Sequence, residues 1–164
     1  MSIAILAFVT LQRLAELILS QRNTTRLLAI GAKEHGAGHY PLLVALHAAW
    51  LIALWFLAPG EPVNLSLLAL FVLLQLGRIW VIATLGPRGT TRIIVKPGAP
   101  LVRSGPYRLV DHPNYVVVAL EIAVVPLVFG LVELALIFSL LNALVLFVRI
   151  RAENAALRSL RGPA

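Results

Sequence analysis

The chain has 164 residues, of which 60% are hydrophobic and 13% charged, with a mean hydropathy of +0.91. A water-soluble domain of this size cannot cover so much apolar surface, so the composition excludes an ordinary soluble fold and puts most of the chain in lipid. Fourteen basic against seven acidic residues leave a net charge of +7, and the lack of cysteine excludes disulfides, thiolate nucleophiles and thiolate metal ligands.

Five apolar runs follow in chain order, at residues 2–20, 41–58, 65–85, 115–129 and 131–150. A helix needs about 20 residues at 1.5 Å rise to cross a hydrocarbon core of roughly 30 Å. The runs therefore predict an all-α integral-membrane fold of five transmembrane helices, one domain over 1–164. No basic residue precedes the first run, so it reads as a span rather than a cleaved signal. Residues 115–150 are too long for one crossing, and Pro126 and Gly130 predict a break that folds them into a helical hairpin with a short first arm.

The charges orient these spans. Arg22, Arg26 and Lys33 lie between the first two runs, five more basic residues between the third and fourth, and Arg149, Arg151, Arg158 and Arg161 at the end. Residues 59–64 and the hairpin tip carry no basic residue. The excess predicts an outer N-terminus and a cytoplasmic C-terminus, as in a bacterial inner membrane. In a soluble chain the same balance would point to nucleic acid; here it needs no nucleic-acid partner.

Several polar residues fall inside the runs. Arg13, Glu16, His47, Gln75, Arg78, Glu121 and Asn142 all lie four to ten residues from the cytoplasmic end of their span. That is a common depth of roughly 6–15 Å. An intramembrane charge costs at least ~2.5–3.5 kcal/mol, so such groups face one another or a wet cavity. Two readings stay open: Arg13–Glu16 and Arg78–Glu121 staple helices together, or the layer floors a pocket open to the cytoplasm.

The densest polar segment is the loop over 86–114, whose part over 96–114 reads either as a ligand loop closing over the cytoplasmic mouth or as a solvated linker that binds anionic headgroups; a helical extension is predicted after residue 150. Four prolines and two glycines after Lys96 forbid a long helix there. His35 and His39 are four apart, but Gly36 and Gly38 between them disfavour the helix that would align both rings on a metal, and no metal site is expected. Trp50, Trp55 and Trp80 are expected to pack in or near the bilayer.

Gly105-Pro106-Tyr107-Arg108, His112-Pro113-Asn114-Tyr115, Glu121, and Arg149 with Glu153 together resemble the isoprenylcysteine carboxyl methyltransferase family. The first half, from Arg13-Leu-Ala-Glu16 and Ser20-Gln-Arg-Asn23 to His39-Tyr-Pro41 and His47, is similar to a bacterial branch associated with methylating phenolic or pyrone lipids. The resemblance implies a membrane enzyme using S-adenosylmethionine, with a lipophilic or prenylated acceptor drawn from the membrane. It places the cofactor on Val102, Gly105, Tyr107, His112 and Pro113, continued by Asn114, Tyr115, Arg149 and Glu153. Two departures stand out: Asp111 occupies a position where the family usually has arginine, and Asn154 replaces the second acid of its last helix.

The residue types suit that chemistry. Arg149 and Glu153 are four apart, share one helix face, and can address the carboxylate and the amine or ribose of such a cofactor, the alternative being a surface ion pair. Tyr107 or Tyr115 can stack on adenine or face the sulfonium. A phenol or enol acceptor must lose a proton, for which His112 is the first candidate and Glu121 the second, while Arg78 is a cation available to an anionic acceptor. The rival readings are a small membrane carrier or assembly protein, and a phospholipid N-methyltransferase or sterol-reductase-like relative.

Overall fold

The computed structural model describes residues 1–161, with side chains to residue 158. In chain order it contains α1 (Ser2–Ala29), β1 (Lys33–His35), α2 (Tyr40–Leu57), α3 (Leu65–Leu85), β2 (Ile93–Val95), α4 (Pro113–Val128) and α5 (Val132–Arg161). Short 3-10 turns at Ala37–His39, Gly86–Arg88 and Gly105–Arg108 punctuate the connections.

Four helices, α1, α2, α3 and α5, are long and apolar enough to cross a membrane. The fifth expected span, α4, has 16 residues and is a shorter apolar helix. Its place in the fold explains both its length and its composition. It packs against α3 on one side and α5 on the other, and Val117, Val118, Glu121, Ile122, Val124, Val125 and Val128 are all buried. A helix enclosed by protein is apolar nearly all round whatever its length. The helices around it turn leucine, isoleucine and phenylalanine outward instead: Phe8 and Leu11 on α1, Leu73 and Ile79 on α3, Leu140 and Leu144 on α5. An apolar belt of this extent suits lipid rather than water.

Pro126 does not break the chain. The helix runs through it to Val128, and the reversal comes at Gly130, with φ +71°. Proline at 126 removes the N–H that would have bonded the carbonyl four residues back. That carbonyl belongs to Ile122, and the buried Trp50 indole donates to it at 3.3 Å. A tryptophan from α2 thus supplies the donor that Pro126 lacks, as apolar surroundings require.

Two helices overrun their apolar stretches. α5 continues past Ile150 to Arg161, in line with the helical extension expected there, whereas α1 continues nine residues past Ser20, where the sequence reads as polar loop. On the α1 extension Ser20 and Asn23 are buried against the loop after α3: Asn23 donates to the carbonyls of Gly86 and Gly89 at 3.2 and 2.7 Å. The same loop carries β2, which pairs antiparallel with β1 in the register Lys33↔Val95, Glu34↔Ile94, His35↔Ile93. Arg92 ties this ribbon down, donating to Glu34 at 2.7 Å while its guanidinium lies 4.4 Å from the Tyr40 ring centre. The Glu34 carboxylate pushes the Arg92 pKa above its ordinary value. The ribbon is a small addition to an otherwise all-α fold.

Candidate functional site

Pro113 starts α4, where its missing N–H costs nothing and its fixed φ favours the first helical turn. Asn114 and Tyr115 follow one step into the helix, and His112 precedes it. Opposite them, α5 presents Arg149, Glu153 and Asn154. The two elements lock together. Arg149 Nε donates to the Tyr115 hydroxyl at 2.8 Å, the Tyr115 hydroxyl donates to Glu153, and Arg149 Nη2 donates to the carbonyl of Thr91. Thr91 is in turn held by Ser20 and Tyr40, at 2.7 and 3.0 Å between hydroxyls. Arg149 is buried, so it is not a surface partner of Glu153; Tyr115 stands between the two as a relay. His112 stacks on Tyr115 with ring centres 5.3 Å apart, and its Nε2 lies 3.2 Å from the Asn154 side-chain oxygen.

Three cavities meet here. The largest, about 970 Å³, lies under the loop over 94–103 and reaches Val102, Tyr107, Asp111 and Glu153. A chamber of about 120 Å³ adjoins it, lined by Tyr107, His112, Asn114, Tyr115, Arg149 and Glu153. The third, about 250 Å³, lies among the helices; its polar lining includes Arg13, Glu16, His47 and Arg78, and leucines and valines of α1, α2, α4 and α5 supply much of the apolar lining. Tyr107 and Glu153 line both the large cavity and the chamber. Asn114, Tyr115 and Arg149 line both the chamber and the inner cavity. The Tyr115–Arg149 pair is therefore the partition between the cavities beside the loop over 94–103 and the one inside the helix bundle.

Tyr107 sits on the 3-10 turn Gly105–Arg108, and burial, then the nearby Glu153 carboxylate, push its phenol pKa up. It stays a neutral hydroxyl beside the carboxylate. Gly105 fixes that turn: its φ is +54°, and a Cβ would meet Thr84 Oγ1 at 2.6 Å. Thr84 Oγ1 is itself bonded to the Trp80 carbonyl at 2.8 Å and has little room to yield. Gly98 in the same loop also has positive φ, +74°, but open space around it. Both alanine variants incur the left-handed backbone cost of roughly 1–2 kcal/mol. Gly105→Ala is expected to cost ~1–3 kcal/mol more, the usual range for overpacking. Unfolding of the two variants in detergent checks this; equal losses would mean that Thr84 moves aside freely.

The intramembrane polar layer is one interlocked network. Arg78 donates through Nε and Nη2 to the two oxygens of Glu16, the latter at 2.7 Å, and through Nη1 to Glu121. Arg13 donates to the same Glu121 oxygen at 2.7 Å, and Gln75 to its other oxygen at 2.7 Å. Gln12 adds a bond to Glu16 at 3.1 Å. Two arginines and two glutamates leave the layer without net charge. The network staples α1, α3 and α4, and Arg13, Glu16 and Arg78 also line the inner cavity. Glu121 is 1% exposed and lines none of the three cavities.

The structure thus brings Tyr107, His112, Asn114, Tyr115, Arg149 and Glu153 around one chamber, with Val102 on the adjoining cavity. Gly105 and Pro113 shape the backbone beside it. Asp111 lines the large cavity and not the inner one. Sequence reasoning overlooked Thr91 and Tyr40, which hold Arg149 in place. The signal that could have found Thr91 is the pair Ser20 and Asn23, two small polar residues on one face of α1 awaiting partners.

Among known proteins, the family model described as the isoprenylcysteine carboxyl methyltransferase (ICMT) family matches residues 67–159. An uncharacterized protein of Bacillus subtilis (strain 168), YpbQ, is 38% identical over 159 residues, covering 94% of this chain and 95% of that protein. No solved structure matches. The matched region contains the Tyr107, His112, Tyr115, Arg149 and Glu153 cluster whole, and the chain belongs to the isoprenylcysteine carboxyl methyltransferase family.

Proposed function

We propose that this chain is an integral-membrane O-methyltransferase that uses S-adenosylmethionine from the cytoplasm and a lipophilic hydroxyl acceptor from the bilayer. The observation that carries this reading is the shared partition: a polar cytoplasmic cavity and an apolar intramembrane cavity meet at Tyr115 and Arg149. A carrier or assembly protein has no need of two chemically different cavities converging on one wall. Family membership supports methyl transfer, and the cytoplasmic charge excess supports a cytoplasmic cofactor side with the N-terminus outside.

The residues suit the cofactor. At about 970 Å³ the large cavity is at the upper end of ordinary small-molecule sites, roughly 300–1,000 Å³. Its lining combines arginines for a carboxylate, Glu153 for an amine or ribose hydroxyls, and Tyr107 with Val102 for a flat base. When bound, the cofactor supplies an electrophilic methyl group on a sulfonium. The chain's own contribution is positional: α4 and α5 hold Tyr115 and Arg149 rigidly at the partition, and an oriented acceptor gains much of its rate from placement alone. The acceptor's tail would lie along Leu14, Leu17, Val44 and Leu51, its oxygen at the polar lining.

The test is binding followed by transfer. Calorimetry in detergent should show S-adenosylmethionine binding that Arg149→Ala and Glu153→Ala each weaken by ~1.5–3 kcal/mol, the range for hydrogen bonds to charged groups. A merely structural pair at the surface would cost under ~1 kcal/mol. With radiolabelled methyl donor and a membrane lipid extract, label should pass to an organic-soluble product. No binding and no labelled lipid would overturn the reading.

A further inference from the structure

We infer that His47 is the base of the acceptor site: its Nε2 takes the proton from a phenolic or enolic hydroxyl held in the inner cavity. This rests on the methyltransferase reading and adds to it the group that makes a weakly acidic hydroxyl reactive.

The tautomer carries the argument. His47 Nδ1 lies 2.9 Å from the backbone carbonyl of Leu43, one turn earlier on α2. A carbonyl oxygen only accepts, so Nδ1 bears the hydrogen, and the neutral ring keeps its basic lone pair on Nε2. Nε2 has no hydrogen-bond partner among the described residues, and the side chain lines the inner cavity. This is an imidazole oriented by its own helix, with the free lone pair on the ring nitrogen away from that helix.

No other lining group of that cavity is equally available. Both Glu16 oxygens receive Arg78, and one also receives Gln12. Arg13, Arg78 and Arg149 accept no proton. Tyr40 is bonded to Thr91, and Tyr115 already donates to Glu153. His112 lines the chamber on the other side of the partition, with Nε2 at Asn154, and Glu121 is enclosed by Arg13, Arg78 and Gln75. The charged groups sharing the cavity with His47 are Arg13 and Glu16 of α1, Arg78 of α3 and Arg149 of α5.

The step balances as follows. Nε2 takes the hydroxyl proton, and the O–H bonding pair becomes a lone pair on the acceptor oxygen. That oxygen forms the new O–C bond to the methyl carbon of the sulfonium donor, and the C–S pair stays on sulfur as a neutral thioether. The proton on His47 then leaves to water. Arg13, Glu16 and Arg78 line the same cavity, and their mutual ion pairs surround the reacting hydroxyl with fixed dipoles rather than with a free charge.

The experiment uses the full chain in nanodiscs with two probes, a long-chain alkylphenol and its dinitro-substituted counterpart, a nitrophenol acidic enough to be already ionised at neutral pH. His47→Gln should lower methylation of the alkylphenol by ~100-fold or more, the usual contribution of a general base. It should leave the nitrophenol within a few-fold, because that acceptor has no proton to lose. Equal losses on both probes, or none on the alkylphenol, would overturn the assignment. A readout independent of turnover is the nitrogen-15 resonance of His47 in wild-type protein without donor. It should report hydrogen on Nδ1 and a shift at Nε2 when the alkylphenol is added; an Nε2-protonated ring, or no shift at saturation, would also overturn it. Wild type that methylates neither probe while the resonance shifts would count against the methyltransferase reading and leave the His47 assignment standing as the hydroxyl-binding base.

Discussion

Glu121→Ala is expected to lower the stability of the detergent-solubilised protein by ~3–5 kcal/mol, a large share of a typical domain's total. The side chain is 1% exposed and accepts from Arg13, Arg78 and Gln75, which come from α1 and α3. Removing it leaves Arg78, 5% exposed, with Glu16 alone against two guanidinium groups. Such a cost is that of an uncompensated buried charge rather than of one lost bond. Glu34→Ala is the internal control, because its partner Arg92 has 39% of its side chain exposed and Glu34 has 23%. A solvent-screened pair of that kind contributes under ~1 kcal/mol. Equilibrium unfolding of both variants in the same detergent would decide; comparable small losses would mean that water enters the network. Glu121→Gln should fall between, since it retains an oxygen for Gln75 while losing the charge that Arg13 and Arg78 require.

That network marks how far the sequence could be read. Counting residues from the end of each apolar run places Arg13, Glu16, Arg78 and Glu121 at one depth, and they do meet. Counting cannot reveal rotation about each helix axis, so it does not give the pairing. Arg78 reaches Glu16 as well as Glu121, and His47 lines a cavity that no spacing rule discloses. Hydropathy locates the helices but not their ends: polar residues 21–29 look like a loop because nothing apolar repeats there, yet they continue as helix. The Lys33–His35 and Ile93–Val95 strands are three residues each and pair across a whole helix pair, so neither carries a local signature. Pro126 shows the converse case. Its effect on the backbone is local and readable, but the compensating Trp50 donor comes from another helix. The motif block from Gly105 to Tyr115 with Arg149 and Glu153 was legible because its residue types are unusual for a membrane loop, and these residues do surround one chamber.

The acceptor preference is expected to follow charge in the inner cavity rather than the sign at position 111. Asp111 departs from the family's arginine, but it lines the large cavity and not the inner one, so Asp111→Arg should leave acceptor choice nearly unchanged. Inside, Arg13 and Arg78 are matched by Glu16 and Glu121, and Arg149 reaches Glu153 through Tyr115. A neutral hydroxyl enters such a site without penalty. A prenylcysteine carboxylate would add a buried charge with no cation left to match it, a cost of several kcal/mol against the hydroxyl. At about 1.4 kcal/mol per decade, a hydroxyl lipid such as an alkylpyrone should be preferred over a farnesylcysteine analogue by ~100-fold or more. Glu16 is the residue that sets this balance, because it neutralises Arg78 at the cavity wall. Glu16→Gln leaves one arginine charge unmatched there, and like-sized attraction for an anion is ~4 kcal/mol at 4 Å and an effective dielectric of 20. The variant should therefore gain methylation of the carboxylate acceptor while losing little binding of the methyl donor, whose site lies beyond the partition. Competition between the two acceptors, run on wild type, Glu16→Gln and Asp111→Arg, separates the cases. Wild type that strongly prefers the carboxylate, or an Asp111→Arg variant that switches preference while Glu16→Gln does not, would place acceptor recognition at the cytoplasmic loop instead.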